Sequence, residues 1–195
     1  MDRRTFIQTA AAAAVVAGIG AEVVEAAPSK QAEPKKEEKN SMKKIIVAAD
    51  PFAITLKDAV VADLKDKGYE VVDVGAKVDK DQDKPYFESA VEACKLIQAE
   101  PGTRGVLFCG TGMGMNIIAN RFKGITASVV ESVFAAKMCR AINNSNVLCL
   151  GAMIWGDWMA KEAVQTFLNT KFTEGLEPLA DFLNDAYKKV SAIRD

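Results

Sequence analysis

The sequence contains no histidine among its 195 residues. This absence removes the side chain that most often transfers protons near neutral pH, and also the commonest protein ligand for metal ions. Any proton transfer by this chain must therefore use cysteine, aspartate, glutamate, lysine or tyrosine.

The sequence also lacks an excess of charge of either sign. Lys and Arg together number 25 and Asp and Glu together number 26, which gives a formal net charge of −1. Such a balance offers no general electrostatic reason to bind nucleic acid or an anionic membrane surface. We therefore expect no nucleic acid as a partner, and instead a small molecule and other protein chains.

Closely spaced cysteines are missing as well. The four cysteines, Cys94, Cys109, Cys139 and Cys149, lie far apart, without the paired spacing of a zinc or iron–sulfur site. We therefore expect no metal. Three of them fall in apolar periodic stretches and are predicted to be small buried side chains, and Cys109 stands apart because of its surroundings.

The first 27 residues have the pattern of an export signal. Residues 2–8 read DRRTFIQ, with adjacent Arg3 and Arg4, and a mildly apolar Ala/Gly/Val run follows over residues 10–21. The pattern predicts a twin-arginine signal peptide over residues 1–27 and a periplasmic or otherwise exported location. An uncut membrane anchor is the alternative, but the run is short for a bilayer core about 30 Å thick. We therefore expect no membrane contact after cleavage.

The composition changes twice after the signal. Residues 28–41 are rich in Pro, Lys, Glu, Gln and Ser, which cannot bury enough apolar surface to hold a fixed shape, so we predict a flexible linker. Residues 42–195 carry the globular pattern and are predicted to form one domain.

That domain alternates between strand and helix patterns. Continuous apolar, β-branched runs predict strands over residues 44–49, 70–74, 105–109, 125–130 and 146–150. Apolar residues at helical spacing predict helices over residues 54–67, 85–99, 115–120, 133–141, 157–169 and 177–193. Strands joined by helical crossovers pair in parallel, with helices on both faces. The pattern predicts an α/β fold, a three-layer Rossmann-like arrangement around a five-stranded parallel sheet.

A glycine-rich turn follows the third predicted strand and reads Cys109-Gly110-Thr111-Gly112-Met113-Gly114. Its amides can converge on an anion or a developing oxyanion, and a thiol at the start of a helix is favoured as a thiolate base. The alternative is an ordinary tight turn around a buried cysteine. The spacing is GxGxG and the turn follows the third strand, so a nicotinamide site fits poorly and no cofactor is expected.

This turn belongs to a longer pattern. The run CGTGMGMNIIANRFKGI over residues 109–125 is followed by Arg140, Asn143, residues 146–148 and Gly151, and it is preceded by Asp50 and residues 73–75. Together these segments resemble the ribose-5-phosphate isomerase B and galactose-6-phosphate isomerase family. The resemblance extends from Met42 to about Gly175.

The resemblance implies an aldose–ketose isomerase that works through an enediolate on a sugar or sugar phosphate. Cys109 would be the base, and Thr111 beside it would orient the base or the substrate. The remaining residues would bind substrate through side chains or through the amides of an oxyanion hole: Asp50, Gly110, Gly112, Met113, Gly114, Arg140 and Asn143. The resemblance also implies a homodimer whose active sites are shared across the interface.

Three departures from the family pattern bear on the substrate. Pro51 and Ile142 stand where the family has histidines, the second of which opens the sugar ring, and Leu176 and Glu177 occupy the segment whose arginines grip the phosphate. An aliphatic chain cannot replace a guanidinium, and a carboxylate repels phosphate. We therefore expect an unphosphorylated sugar, and Arg121, Lys123 and Arg140 are the cations available if an anion is bound.

Two other classes of function stay open at this point. A non-catalytic carbohydrate-binding protein on the same fold is favoured by the missing ring-opening histidine. An exported, cofactor-dependent oxidoreductase is suggested by the twin-arginine signal alone, and the glycine spacing argues against it.

The export prediction can be tested directly. Replacing Arg3 and Arg4 with Lys should keep the protein in the cytoplasm, because the twin-arginine route reads the arginine pair. Cell fractionation measures the location, and N-terminal sequencing of the exported wild-type protein should begin near Ala27 or Pro28. Export of the double-Lys variant, or an intact Met1 on the exported form, would contradict the prediction.

Overall fold

The computed structural model of the chain describes residues 44–80 and 83–193. The predicted signal peptide over residues 1–27 and the predicted linker over residues 28–41 lie outside these residues, and both stay predictions. The first described residue, Lys44, begins the first strand.

Five parallel strands form one sheet, with the spatial order β2-β1-β3-β5-β4. They are β1 (Lys44–Ala49), β2 (Glu70–Asp73), β3 (Arg104–Cys109), β4 (Ala127–Val129) and β5 (Val147–Gly151). The central strands β1, β3 and β5 are buried almost throughout, as expected of strands covered on both faces. The predicted five-stranded parallel sheet is confirmed.

Within the described residues, six α-helices accompany the sheet: α1 (Ile54–Asp66), α2 (Tyr86–Ala99), α3 (Met113–Ala119), α4 (Val133–Asn143), α5 (Asp157–Asn169) and α6 (Ala180–Ala192). The helix predicted over residues 177–193 divides into a 3-10 turn, Glu177–Leu179, and α6. The helix predicted from Met115 begins two residues earlier, because Gly112 adopts φ +78° and completes its turn there. No helix in the described part of the chain is both long and apolar enough to span a membrane.

The helices cover the sheet in two layers, which confirms the three-layer prediction. Helices α1, α4 and α5 pack on one face in a core that includes Leu64, Phe108 and Phe167. Helices α2 and α3 cover the other face in a second core that includes Leu107 and Met115. Cys94, Cys139 and Cys149 are buried in these cores, as predicted.

Parallel pairing brings the carboxyl ends of the central strands to one edge, which we call the carboxyl edge. Ala49 pairs with Phe108, and Cys109 pairs with Gly151, so the loops that follow β1, β3 and β5 start side by side. Gly75, two residues after β2, packs directly against the end of β1, since a Cβ atom at Gly75 would lie 2.2 Å from the Ala49 nitrogen. Functional groups of open α/β sheets concentrate at such an edge.

A buried ion pair fixes the end of β2 to α1. The fully buried Lys57 Nζ donates to Asp73 Oδ2 at 2.7 Å and to the Ala76 carbonyl at 2.9 Å. Asp73 Oδ1 in turn accepts from the Gly75 amide at 3.0 Å. The lysine therefore organises the loop that packs against the end of β1.

Removing this lysine should destabilise the fold. We expect Lys57→Met to cost about 3 kcal/mol in the free energy of unfolding, because it leaves Asp73 without its cation. Lys67→Met is the matched control, since Lys67 makes an exposed ion pair with Asp63 and should contribute less than about 0.5 kcal/mol. Urea denaturation measures both. Equal losses in the two variants would contradict the assigned role of Lys57.

Candidate active site

Cys109 is the last residue of β3, and its thiol is held in the turn that follows. The side chain is 5% exposed, and its Sγ accepts a hydrogen bond from the Gly112 amide at 3.1 Å. This hydrogen bond fixes the sulfur within the turn at the end of β3. The Gly112 amide, predicted to bind a substrate oxyanion, is thus directed at the thiol.

The turn packs against the end of β5. The amides of Ala152 and Met153 donate to the carbonyls of Cys109 and Gly110, each at 2.9 Å. A Cβ atom at Gly112 would lie 3.0 Å from the Leu150 carbonyl carbon, so this contact, like the positive φ, favours glycine. The turn is therefore positioned by backbone contacts on both sides.

The rest of the predicted turn residues lie around the thiol. Thr111 Oγ1 accepts a long hydrogen bond, 3.4 Å, from the Met113 amide. Gly114 faces the ring of Tyr86, whose Cε2 atom would lie 2.8 Å from an added Cβ. Tyr86, in α2, therefore packs against this turn. Residue spacing in the sequence could not predict this contact, because the two segments are far apart along the chain.

The other three cysteines provide a contrast. Burial raises the pKa of the thiols of Cys94, Cys139 and Cys149, that of Cys94 to about 12. These thiols are therefore neutral at physiological pH and are poor bases. Cys109 differs from them in its position, since it ends β3 at the carboxyl edge and lies in the glycine-rich turn.

Asp50 follows β1 at the same edge. Its amide donates to the Phe108 carbonyl at 3.2 Å, which places it next to the strand that carries Cys109. Burial raises the pKa of the Asp50 carboxyl, and the amides of Ala53 and Phe52 partly oppose this shift. The buried Oδ1 atom has no hydrogen-bond partner among the described residues, so it can accept a hydrogen bond from a ligand hydroxyl.

Asn143 and Arg140 lie at the opposite edge of the sheet. Both are in the last turn of α4, which ends shortly before β5 begins at Val147. Gly151, the partner of Cys109, lies four positions after Val147 in β5, which corresponds to about 13 Å along the strand. One chain therefore brings neither residue to Cys109.

The environment of Arg140 favours a structural role. Arg140 is 7% exposed, and one guanidinium nitrogen donates to Asn144 Oδ1 at 3.0 Å and to the Ser145 carbonyl at 2.5 Å. The guanidinium lies over the Phe167 ring, and its buried Nε has no partner among the described residues. Burial lowers the pKa of Arg140 to about 10. The side chain is thus engaged in closing the end of α4, in contrast to the predicted role in binding substrate.

The segment with Leu176 and Glu177 is also on the Asn143 side, since the Thr173 amide donates to the Ala141 carbonyl in α4 at 2.9 Å. Glu177 folds back on its own segment and accepts from the Gly175 amide at 2.9 Å. Within residues 44–80 and 83–193, no cluster of three Cys, Asp or Glu side chains is arranged to hold a metal ion.

Exposed apolar side chains surround the turn. Five of them follow the ends of β1, β3 and β5 and form what we call the apolar rim: Phe52, Met113, Met153, Ile154 and Trp158. Trp158 is 90% exposed. Two members contact the turn itself, because a Cβ atom at Gly110 would lie 3.5 Å from Met153 and 3.7 Å from Phe52. A group of this kind marks an interaction surface.

Comparison with known proteins gives consistent results. Residues 45–178 match the family model described as Ribose/Galactose Isomerase. The chain is 44% identical over 153 residues to 4-deoxy-4-sulfo-D-erythrose isomerase of Clostridium sp. (strain MSTE9), covering 78% of this chain and 96% of that protein. It is 36% identical over 134 residues to ribose-5-phosphate isomerase B of Escherichia coli (strain K12), covering 69% and 89%.

A solved structure agrees with these matches. The ribose 5-phosphate isomerase of Thermotoga maritima superposes with a TM-score of 0.69 at 33% identity, covering 77% of this chain and 99% of that chain. The predicted Rossmann-like fold is confirmed by this likeness and by the parallel sheet.

The packing of the turn generates a prediction about two glycines with similar backbone angles. Gly112 has φ +78° and no room for a side chain, whereas Gly124 has φ +79° and open space around it. We expect Gly124→Ala to cost about 1 kcal/mol through its backbone conformation alone. Gly112→Ala should cost about 1–3 kcal/mol more, through the clash with β5. Urea denaturation compares them, and equal stability would show that the turn does not depend on this contact.

Proposed function

Because the chain belongs to the ribose/galactose isomerase family, we propose that it is an aldose–ketose isomerase in which Cys109 is the base. The observation that carries this assignment is the position of the thiol. It lies at the carboxyl edge of the sheet, with the Gly112 amide directed at its sulfur and with Asp50 directly after the neighbouring strand β1.

The reaction is an internal transfer of hydrogen. The Cys109 thiolate removes the proton from C2 of the open-chain aldose, the electrons of that bond form the C1–C2 double bond, and the carbonyl oxygen becomes an oxyanion. The thiol then returns the proton to C1, and a proton passes from O2 to O1. Atoms and electrons balance without an oxidant, a reductant or a cofactor.

The turn and Asp50 have separate tasks in this mechanism. The amides of Gly110, Met113 and Gly114 stabilise the oxyanion as it forms, because donors fixed in advance need no reorganisation. The unpartnered Oδ1 atom of Asp50 accepts a substrate hydroxyl and orients the chain. Thr111, which stands between Gly110 and Gly112 in the turn, orients the substrate.

We propose that the substrate is a short, unphosphorylated sugar that stays in its open-chain form. The name of the 44% identical relative describes a four-carbon aldose that carries a sulfonate, and no hydroxyl, on C4. Such a sugar lacks the hydroxyl needed to close a five-membered ring. Ring opening is then unnecessary, which is consistent with a chain that has no histidine and has Ile142 in the predicted ring-opening position. The lack of arginine at Leu176 supports an unphosphorylated substrate.

A homodimer would complete the site. The catalytic turn and Asn143 are at opposite edges of one sheet, and a two-fold axis can place each turn next to the partner's Asn143. The apolar rim supports this arrangement, because it surrounds the turn and would be buried in such an interface. The twin-arginine pattern at Arg3 and Arg4 supports a location outside the cytoplasm.

The assignment of the base is tested with the Cys109→Ser variant. We expect turnover to fall at least about a hundredfold. A serine hydroxyl is a far weaker acid than a thiol, so it does not ionise and cannot act as an anionic base. The assay follows deuterium incorporation at C2 of candidate sugars in deuterated water by NMR, with 4-deoxy-4-sulfo-D-erythrose first.

Cys139→Ser is the matched control, because Cys139 is a buried thiol that bonds the Ala136 carbonyl and lies outside the turn. It should keep wild-type turnover. Unchanged turnover in Cys109→Ser would rule out its role as the base. Saturable sugar binding by the wild type with no label at any sugar would instead identify a non-catalytic carbohydrate-binding protein.

A further inference from the structure

A large cavity lies at the edge of the sheet opposite to the catalytic turn. Its volume is about 1090 Å³, and it is bounded by residues 120–126, by the last turn of α4 and by one side of α6. This size is sufficient for a small organic ligand. We call it the basic cavity, for the charges described next.

Three cations line this cavity, Arg121, Lys123 and Lys188, and no carboxylate does so among the described residues. This is unusual for a chain whose formal net charge is −1. In the described part of the chain, no ion pair involves any of the three, whereas Lys44, Lys57, Lys67, Lys84 and Lys189 each pair with an acid. Like charges around one cavity repel each other, and a bound anion would remove that cost.

The other lining groups define what kind of anion fits. Asn143 and Tyr187 add polar side chains that can hydrogen-bond a ligand, and Phe122, Phe182 and Val190 add apolar surface. An arginine and two lysines suit a compact oxyanion with several acceptor oxygens, since guanidinium binds such groups through two parallel hydrogen bonds. The cavity thus fits a short organic chain that ends in a tetrahedral oxyanion.

We propose that the basic cavity binds the terminal oxyanion of the substrate, a sulfonate in the short open-chain sugar proposed above. This identification rests on the proposed function. Arg140 is engaged within its own helix end, and the segment around Leu176 provides no cation. Arg121, Lys123 and Lys188 are the cations that lie together with Asn143, the predicted hydroxyl-binding residue.

The position of the cavity gives it a role in the dimer. A two-fold axis that brings Asn143 to the partner's catalytic turn also brings the basic cavity there. One chain would then hold the anionic end of the sugar, while its partner removes the C2 proton at the other end. Lys188 is placed in the cavity by α6, so this helix becomes part of the site.

The binding of an anion is tested without any turnover. We expect methanesulfonate and inorganic phosphate, titrated into the full chain by calorimetry at low ionic strength, to bind, and binding to weaken as salt is added. Lys188→Gln and Arg121→Gln should each weaken it at least about tenfold, as expected for a charged hydrogen bond. Lys189→Gln is the matched control. It removes the same charge from the next residue of α6, and the Lys189 side chain is paired with Asp185.

A kinetic comparison identifies the anion. Lys188→Gln should raise KM for 4-deoxy-4-sulfo-D-erythrose at least about tenfold and leave KM for neutral erythrose unchanged. The proposal would be overturned if anion binding persisted in both cavity variants, or if the wild type bound no anion. A KM effect confined to phosphate esters would overturn the sulfonate assignment. If the anion binds through Lys188 but no sugar gains label at C2, the isomerase function fails and the anion site stands.

Discussion

The geometry of the proposed catalytic site depends on the close contact between the turn after β3 and the end of β5. Gly112 has no space for a side chain next to Leu150, and a Cβ atom at Gly151 would lie 2.6 Å from the Thr111 carbonyl carbon. Because both glycines lack a Cβ atom, the two backbones can approach and exchange hydrogen bonds. The Gly112 amide then points at the Cys109 sulfur, which is thereby fixed at the carboxyl edge of the sheet.

The topology separates the groups that a sugar isomerase needs. Parallel strands gather Asp50 and Cys109 at the carboxyl edge, and α4 runs back to leave Asn143 at the other edge. A flexible sugar of four carbons cannot bridge the roughly 13 Å between them in one chain. The exposed apolar rim around the turn offers the surface through which a second copy would supply the missing half.

Charged side chains have two different environments in this molecule. Lys57 and Arg140 are buried and donate to nearby acceptors that fix loops, although the buried Nε of Arg140 has no partner among the described residues. Arg121, Lys123 and Lys188 have no such acceptors in the described residues and share one cavity. Lysine and arginine side chains thus stabilise the fold at Lys57 and Arg140, whereas those that line the basic cavity are available to bind an anion.

Much of the fold and part of the site could be read from local sequence. Buried parallel strands are continuous apolar runs, so the predicted bounds of all five strands lie within two residues of the observed ones. The glycine spacing after Cys109 predicts the turn that follows β3, and its catalytic role stays a proposal. Other features arise from contacts between distant segments. Four features depend on how helices pack on the sheet: the strand order, the hydrogen bond of Arg140 to Ser145, the packing of Tyr86 on the turn, and the presence of Lys188 and Arg121 in the lining of one cavity. A sequence pattern records which face of a helix is apolar, but only the tertiary structure decides which charged side chains share a cavity and which find acceptors.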